Sequence, residues 1–284
     1  MKEIQVKSIL NKHKKREYLF LDDYSLNPYY GCSFNCIYCY IRGSKYGRNV
    51  TAIASKINAP ELLEKELSKR AKKGEYGIIA ISTATEPYMG EEKKLKLTRR
   101  LLKIILKYRF PVHILTKSIL VLRDLDILEE IDENAIMPSC LNLKRGAIIS
   151  FSFSTLDEKI SKIVEPGAPA PIKRLEVMKE FEGFLKGTAF IPVLPFLSDS
   201  TENMEEMVKV AKGYGAHYAL FGALTLAGEG KEIYYKFLEK YYPELIPKYN
   251  ELYFSYEPSK EYQNMLEERA KKICNKYGIK SRII

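Results

Sequence analysis

Short β-branched and aliphatic runs alternate along the chain with longer stretches whose apolar residues recur every three to four positions. That alternation is the pattern of parallel βα units, whose buried strands read as near-continuous apolar runs. Strands are expected at 18–22, 77–83, 111–116, 147–153, 188–194 and 217–224. Between them, 60–73 places Leu63, Leu67 and Ala71 on one face, 92–108 is rich in Leu and Ile, and 119–131 carries Leu122, Leu125 and Leu128. Each of these predicts an amphipathic helix. A helix over 171–184 has proline in its first turn, and one over 201–214 is expected to be capped by Thr201. Beyond 228 the chain reads as helical. Six βα units predict an α/β fold, a partial (β/α)6 TIM-type barrel with a helical C-terminal extension. The barrel domain is expected over 1–225, opening on a basic segment at 1–20, with the extension at 226–284 packed on it. Ligands of such sheets bind at the carboxyl ends of the strands.

Composition narrows the class. The chain has 284 residues, 46% of them hydrophobic, enough for a substantial core. No apolar run reaches the length of a membrane span, and Met-Lys-Glu-Ile-Gln is not an apolar signal region. A soluble cytoplasmic protein with no membrane partner is expected. The net charge of +10, from 46 Lys+Arg against 36 Asp+Glu, attracts polyanions and suits nucleic acid as a partner. A lysine-rich solvated surface is the other reading. The densest basic run, Lys12-His-Lys-Lys-Arg16, ends sixteen residues before Cys32. It can guide a polyanion toward that cysteine, or simply be solvated.

The stretch Gly31-Cys-Ser-Phe-Asn-Cys-Ile-Tyr-Cys-Tyr40 sets Cys32, Cys36 and Cys39 at the spacing C-x3-C-x2-C. Three thiolates at this spacing can wrap one face of a [4Fe–4S] cluster and leave its fourth iron open to a small molecule. Gly31 permits a tight turn before the first ligand. Tyr38 and Tyr40 can shield the cluster and offer a flat surface to a bound base. The alternative is zinc, which usually takes four ligands; Cys140 or Cys274 would have to complete the set, and neither brings a neighbouring ligand. An odd total of five cysteines, three of them clustered, argues for metal binding in a reducing compartment rather than disulfides. Cys140 can be a redox partner, but a free cysteine is usually a small buried hydrophobe, and Cys274 reads the same way. His13, His113 and His217 lack metal-ligand spacing to one another.

Other candidates lie at the expected strand ends. The second strand runs into Ser82-Thr-Ala-Thr-Glu-Pro-Tyr88, where Thr83 supplies a hydroxyl and Glu86 a carboxylate able to accept from an ammonium group. A plain loop of turn formers is the alternative. Lys117, after the third strand, can meet a carboxylate or phosphate, or cap the next helix. The fourth strand alternates Ser and Phe, so Ser152 and Ser154 can bind a ribose hydroxyl or merely fit a tight interior. The stiff segment Glu165-Pro-Gly-Ala-Pro-Ala-Pro171 leads to Arg174, a carboxylate or phosphate contact or else a surface salt bridge.

The cysteine loop resembles that of the radical S-adenosylmethionine (SAM) superfamily. The likeness continues through Asn27-Pro-Tyr-Tyr-Gly, Asn58-Ala-Pro-Glu, Thr85-Glu-Pro-Tyr, Leu97-Thr-Arg, Leu115-Thr-Lys-Ser, Leu122-Arg-Asp-Leu-Asp, Ser154-Thr-Leu-Asp-Glu and Glu165-Pro-Gly-Ala-Pro, in order over roughly residues 8 to 225. This series resembles the spore photoproduct lyase-like family, often labelled DNA repair photolyases. The resemblance implies one [4Fe–4S] cluster on Cys32, Cys36 and Cys39, SAM held from the second, fourth and fifth strand ends, and a reductant of ferredoxin or flavodoxin type. Tyr38, Thr83, Glu86, Lys117, Ser152, Ser154 and Arg174 are then the candidates around SAM. One departure stands out: spore photoproduct lyase uses a hydrogen-donating cysteine near the end of its second strand, whereas 81–88 here contains none and Thr83 is the nearest equivalent.

The expected function is reductive cleavage of SAM to a 5′-deoxyadenosyl radical that abstracts hydrogen from a substrate, nucleic acid first among the classes, in DNA repair or modification. The competing class is a non-catalytic zinc or iron–sulfur module that binds nucleic acid, with some of the 21 tyrosines stacking on bases.

Overall fold

The computed structural model describes residues 1–43, 52–81 and 83–284. Its strands are β1 (Lys2–Ile4), β2 (Leu10–Glu17), β3 (Asp22–Leu26), β4 (Tyr29–Tyr30), β5 (Ala54–Lys56), β6 (Ile79–Ile81), β7 (Val112–Thr116), β8 (Ala147–Phe153), β9 (Leu185–Val193) and β10 (Tyr218–Ala223). The helices are α1 (Ala59–Lys72), α2 (Glu92–Leu95), α3 (Leu97–Lys107), α4 (Leu125–Asn134), α5 (Glu158–Val164), α6 (Pro171–Glu180), α7 (Thr201–Gly213), α8 (Gly228–Tyr241), α9 (Ile246–Leu252) and α10 (Lys260–Tyr277). Strands β8-β7-β6-β3-β2 are hydrogen-bonded in that order, β9 pairs with β10, and β1-β5-β4 form a small separate sheet.

The chain divides into two compact units. The first comprises Met1–Ser33, the described residues of Thr51–Phe151, and Lys179–Lys186. In it β3, β6, β7 and β8 pair in parallel, so their carboxyl ends share one edge, while β2 closes the sheet antiparallel to β3. Ile79–Ile81 and the whole of β8 are buried, as apolar strands flanked by helices must be. Leu63 and Leu67 of α1 and Leu101, Leu102 and Ile105 of α3 are buried as well.

The second unit comprises the described residues of Phe34–Val50, with Ser152–Met178 and Gly187–Ile284. Here β9 and β10 pair in parallel. They approach so closely that a Cβ on Gly187 would lie 2.4 Å from the carbonyl oxygen of Tyr218. Phe190 stacks on Phe221 at 5.1 Å and meets Phe153 at 5.6 Å. Leu266, Ala270, Ile273 and Cys274 form the buried stripe of α10.

Several expectations shift. Residues 18–21 are not a strand: Tyr18 is 73% exposed, and the first parallel strand is Asp22–Leu26. The basic run, not anticipated as regular structure, lies in β2. The helix expected over 92–108 breaks at Lys96, which takes a left-handed φ of 50°. The one expected over 119–131 begins as a 3-10 turn over Ile119–Asp124 before α4. That over 171–184 stops at Glu180. Ser200, not Thr201, caps α7, accepting from the Asn203 amide at 3.1 Å. Among the described residues no helix is long and apolar enough to cross a membrane.

Candidate functional site

In the first unit the candidates cluster where the parallel strands end. Asn27, directly after β3, holds the segment after β6: its side-chain oxygen accepts from the amides of Ala84 (2.9 Å) and Thr85 (3.2 Å), and its side-chain nitrogen donates to Thr83 Oγ1 (3.1 Å). Glu86 is buried and accepts from Tyr88 N (3.0 Å), Thr116 Oγ1 (2.5 Å) and Lys117 N (3.0 Å). Burial raises its pKa, and those three donors oppose the rise. Glu86 thus ties the segment after β6 to the end of β7. Ser82, named with this segment, lies outside the described residues.

The chain entering Cys32 is pinned on both sides. The Tyr29 hydroxyl donates to the carboxylate of Glu92. That carboxylate has no solvent exposure and also accepts from Thr98 N (3.1 Å) and Arg123 (2.8 Å). Burial and then the Glu92 charge push the Tyr29 phenol well above its usual range, so it remains a proton donor. On the other side, Ser33 N donates to Met89 Sδ at 3.1 Å. Gly31 supplies the left-handed turn (φ 72°) between these anchors.

The second unit carries the rest of the loop. Asn35 takes a φ of 52°, a conformation asparagine tolerates better than most residues. Cys39 N donates to Cys36 O (3.3 Å) and Arg42 N to Cys39 O (3.1 Å). Arg42 reaches back to Cys36 O (3.2 Å) and to the Asn35 side chain. A Cβ on Gly230 would sit 3.3 Å from Cys39 O, so the first turn of α8 requires a small residue there. The segment around Glu165 runs beside this loop, with Ile37 N donating to Val164 O and Gly167 N to Phe34 O, each at 3.0 Å.

Glu165 is the hub. It accepts from the Tyr38 hydroxyl, from Ser154 Oγ (2.9 Å) and from Arg174. The guanidinium of Arg174 also donates to Pro169 O (2.8 Å) and Ser152 O (2.9 Å) and lies over the Phe153 ring at 5.6 Å. Arg174 and Glu165 side chains are 0% and 1% exposed, so this is a buried ion pair rather than a surface one. Burial, then the Glu165 charge, push the Tyr38 phenol far above its usual range.

Sequence reasoning named Tyr38, Ser152, Ser154 and Arg174; the structure joins Tyr38, Ser154 and Arg174 to one carboxylate it did not single out, and Arg174 also donates to Ser152 O. The signal was a lone acid opening a Pro/Gly/Ala segment. Asn27 was also missed; it stands before Pro28 at the end of a strand that was placed four residues too early. Cys274 is buried as expected, and burial pushes its thiol up to about 12. Cys140 is a correction: it is exposed, and its sulfur accepts from Arg16 at 3.1 Å.

None of the five cysteines is in a disulfide; Cys36 is buried, and Cys32 and Cys39 are half-buried. The residues from Gly31 to Tyr40 include no carboxylate. That donor set suits a thiophilic iron–sulfur centre and not a hard cation. Among the described residues no three His, Cys, Asp or Glu side chains already stand together as a metal-holding group. The buried carboxylates Glu86 and Glu165 are fixed acceptors with their donors in place. The chemistry offered is therefore thiolate ligation more than proton transfer.

The family model of the radical SAM superfamily matches residues 26–211. The chain belongs to the radical SAM superfamily. It is accordingly a radical SAM enzyme, which removes the non-catalytic module as an account of it. An uncharacterized protein of Methanocaldococcus jannaschii is 31% identical over 78% of this chain and 77% of its own length. An uncharacterized protein of Mycobacterium tuberculosis is 29% identical over 98% of this chain and 81% of its own. Among solved structures, spore photoproduct lyase complexed with dinucleoside spore photoproduct superposes with a TM-score of 0.64 at 14% identity, covering 94% of this chain and 78% of that one. A variant of the same lyase with bound AdoMet and dinucleoside spore photoproduct gives 0.64 at 13%, with the same coverage. At those identities the likeness concerns the fold. The radical SAM chain has an α/β fold of the partial (β/α)6-barrel class, with a helical C-terminal region.

Proposed function

We propose that Cys32, Cys36 and Cys39 ligate a [4Fe–4S] cluster, that SAM binds beside it, and that the enzyme abstracts hydrogen from a nucleic-acid substrate in repair or modification. The observation that carries the reading is the carboxylate-free, disulfide-free three-thiol loop, turned by Gly31 and Asn35, within the matched region. Held by Cys32, Cys36 and Cys39, the cluster would supply the one-electron reduction of SAM that radical chemistry needs, with a ferredoxin- or flavodoxin-type protein as the source of the electron.

The chain's own residues hold and shield. Tyr38, fixed by Glu165, lies between the second and third ligands and excludes water from them. Ser154 and Arg174 bond Glu165, and Arg174 also donates to Ser152 O, so Arg174 acts by holding Glu165 in place. Thr83, Glu86 and Lys117 belong to the knit segments after β6 and β7, where Glu86 positions Lys117 through its amide. Nucleic acid is favoured by the +10 charge, and the cytoplasm by thiols that must stay reduced. The absence of a cysteine in 81–88 favours a hydrogen-abstraction outcome other than thymine-dimer repair by a cysteine donor.

The test is anaerobic purification, reconstitution with iron and sulfide, dithionite reduction and addition of SAM, with 5′-deoxyadenosine read by chromatography. Product from the wild type that disappears in Cys32→Ala is expected. A full cluster that yields no product would overturn the reading.

A further inference from the structure

The β2–β3 hairpin carries a charge pattern that the cysteine loop does not use. Residues 12–16 are all basic. Arg16 is engaged by Asp23 at 3.0 Å, and His13 stands 3.4 Å from Asp22. Lys12, Lys14 and Lys15 are exposed and take part in no ion pair among the described residues. They lie on β2, the edge strand beside β3. Lys12, Lys14 and Lys15 thus offer three closely spaced unpaired cations along one strand.

Lysines on an edge strand can serve only to keep other strands away. The tip argues against that as their whole role. Tyr18 is 73% and Leu19 37% exposed, and a guarding edge would not end in bare apolar side chains. The tip is also rigidly built. The Glu17 carboxylate accepts from Leu19 N (2.9 Å) and Phe20 N (2.8 Å), and Phe20 is anchored through its carbonyl to His113 at 2.7 Å. The turn holds Tyr18 outward at the end of a basic strand, an aromatic platform beside phosphate-binding charges.

We propose that this hairpin is a nucleic-acid contact: Lys12, Lys14 and Lys15 take phosphates, and Tyr18 stacks on an unpaired base. The inference rests on the reading of nucleic acid as substrate. It goes beyond it by naming the element and the mode of binding.

The experiment is fluorescence anisotropy of the reconstituted full-length enzyme, without added SAM, on a labelled mixed-sequence single-stranded 20-mer over a salt series. Lys12→Gln/Lys14→Gln/Lys15→Gln is expected to lower the slope of log K against log salt by about 2. The triple Arg replacement is expected to retain the wild-type slope, which separates lost charge from lost folding. Tyr18→Ala should weaken binding roughly fivefold to a hundredfold with the slope unchanged. An unchanged slope in the Gln triple, or competition by poly-glutamate as strong as by unlabelled oligonucleotide, overturns the proposal; the latter would assign the hairpin to an acidic protein. Binding needs no SAM cleavage. Failure of the radical reading would therefore show separately, as absent 5′-deoxyadenosine from the wild type.

Discussion

Replacing Arg174 by Met should be among the most damaging single changes in the second unit. The side chains of Arg174 and Glu165 are 0% and 1% exposed, so the substitution strands a carboxylate in the interior. It also removes the donors to Pro169 O and Ser152 O. Removing one partner of a buried ion pair costs about 3–5 kcal/mol. At about 2–4 °C per kcal/mol, the melting temperature should fall by roughly 6–20 °C. Arg174→Met/Glu165→Gln removes the stranded charge, while the amide oxygen still accepts from Tyr38 and Ser154. Because replacing a whole buried pair is often near neutral, the double variant should recover at least half of the loss. The assay is thermal unfolding by circular dichroism on all three proteins. A single-variant drop below about 2 °C, or a double variant no more stable than the single, would refute the account of Glu165 as a charge balanced by Arg174.

His113 should make stability depend on acid. Its Nδ1 donates to Phe20 O and its Nε2 accepts from Ser150 Oγ, each at 2.7 Å, and burial lowers its pKa to about 4. The unfolded chain then binds the extra proton first, so this contribution is whole above about pH 6.5 and fades toward pH 4, roughly 3 kcal/mol in all. Urea midpoints at pH 7 and pH 4.5 should converge in His113→Gln relative to wild type; equal pH slopes would count against it. Gly187→Ala, with its Cβ 2.4 Å from Tyr218 O, should destabilise by about 1–3 kcal/mol, read by urea denaturation, and a neutral result would mean that β9 and β10 are not so close. Iodoacetamide followed by mass spectrometry should label exposed Cys140 in the native protein and Cys274 only on unfolding, since burial pushes the latter's thiol up to about 12. Equal labelling of the two would contradict that placement.

How much of the fold was legible in the sequence depends on how local each determinant is. The strand at 147–153 was read with its observed ends because all seven of its residues are buried, so the apolar run and the strand coincide. The first strand was misplaced for the opposite reason. Tyr18-Leu-Phe-Leu looks like a strand but forms a hairpin tip, while the true strand opens on Asp22 and Asp23. His13 and Arg16 of the neighbouring strand face those acids, and Ile78 N donates to Asp23. The break at Lys96 had no glycine or proline to announce it.

The same division runs through the candidate site. Ligands for one small inorganic group can come from two adjacent turns, so their spacing is written in consecutive residues and survives as a motif. The groups that hold those turns have no such constraint, because any segment passing behind the loop can supply them. Tyr38 meets its acceptor 127 positions away at Glu165, and Tyr29 meets Glu92 at 63. Arg174 shows the same thing: the sequence displays a conspicuous charge after a stiff segment but not the acceptors that hold it. Pro169 O, Ser152 O and Glu165 all accept from it, and none of the three could be named from the residues around it.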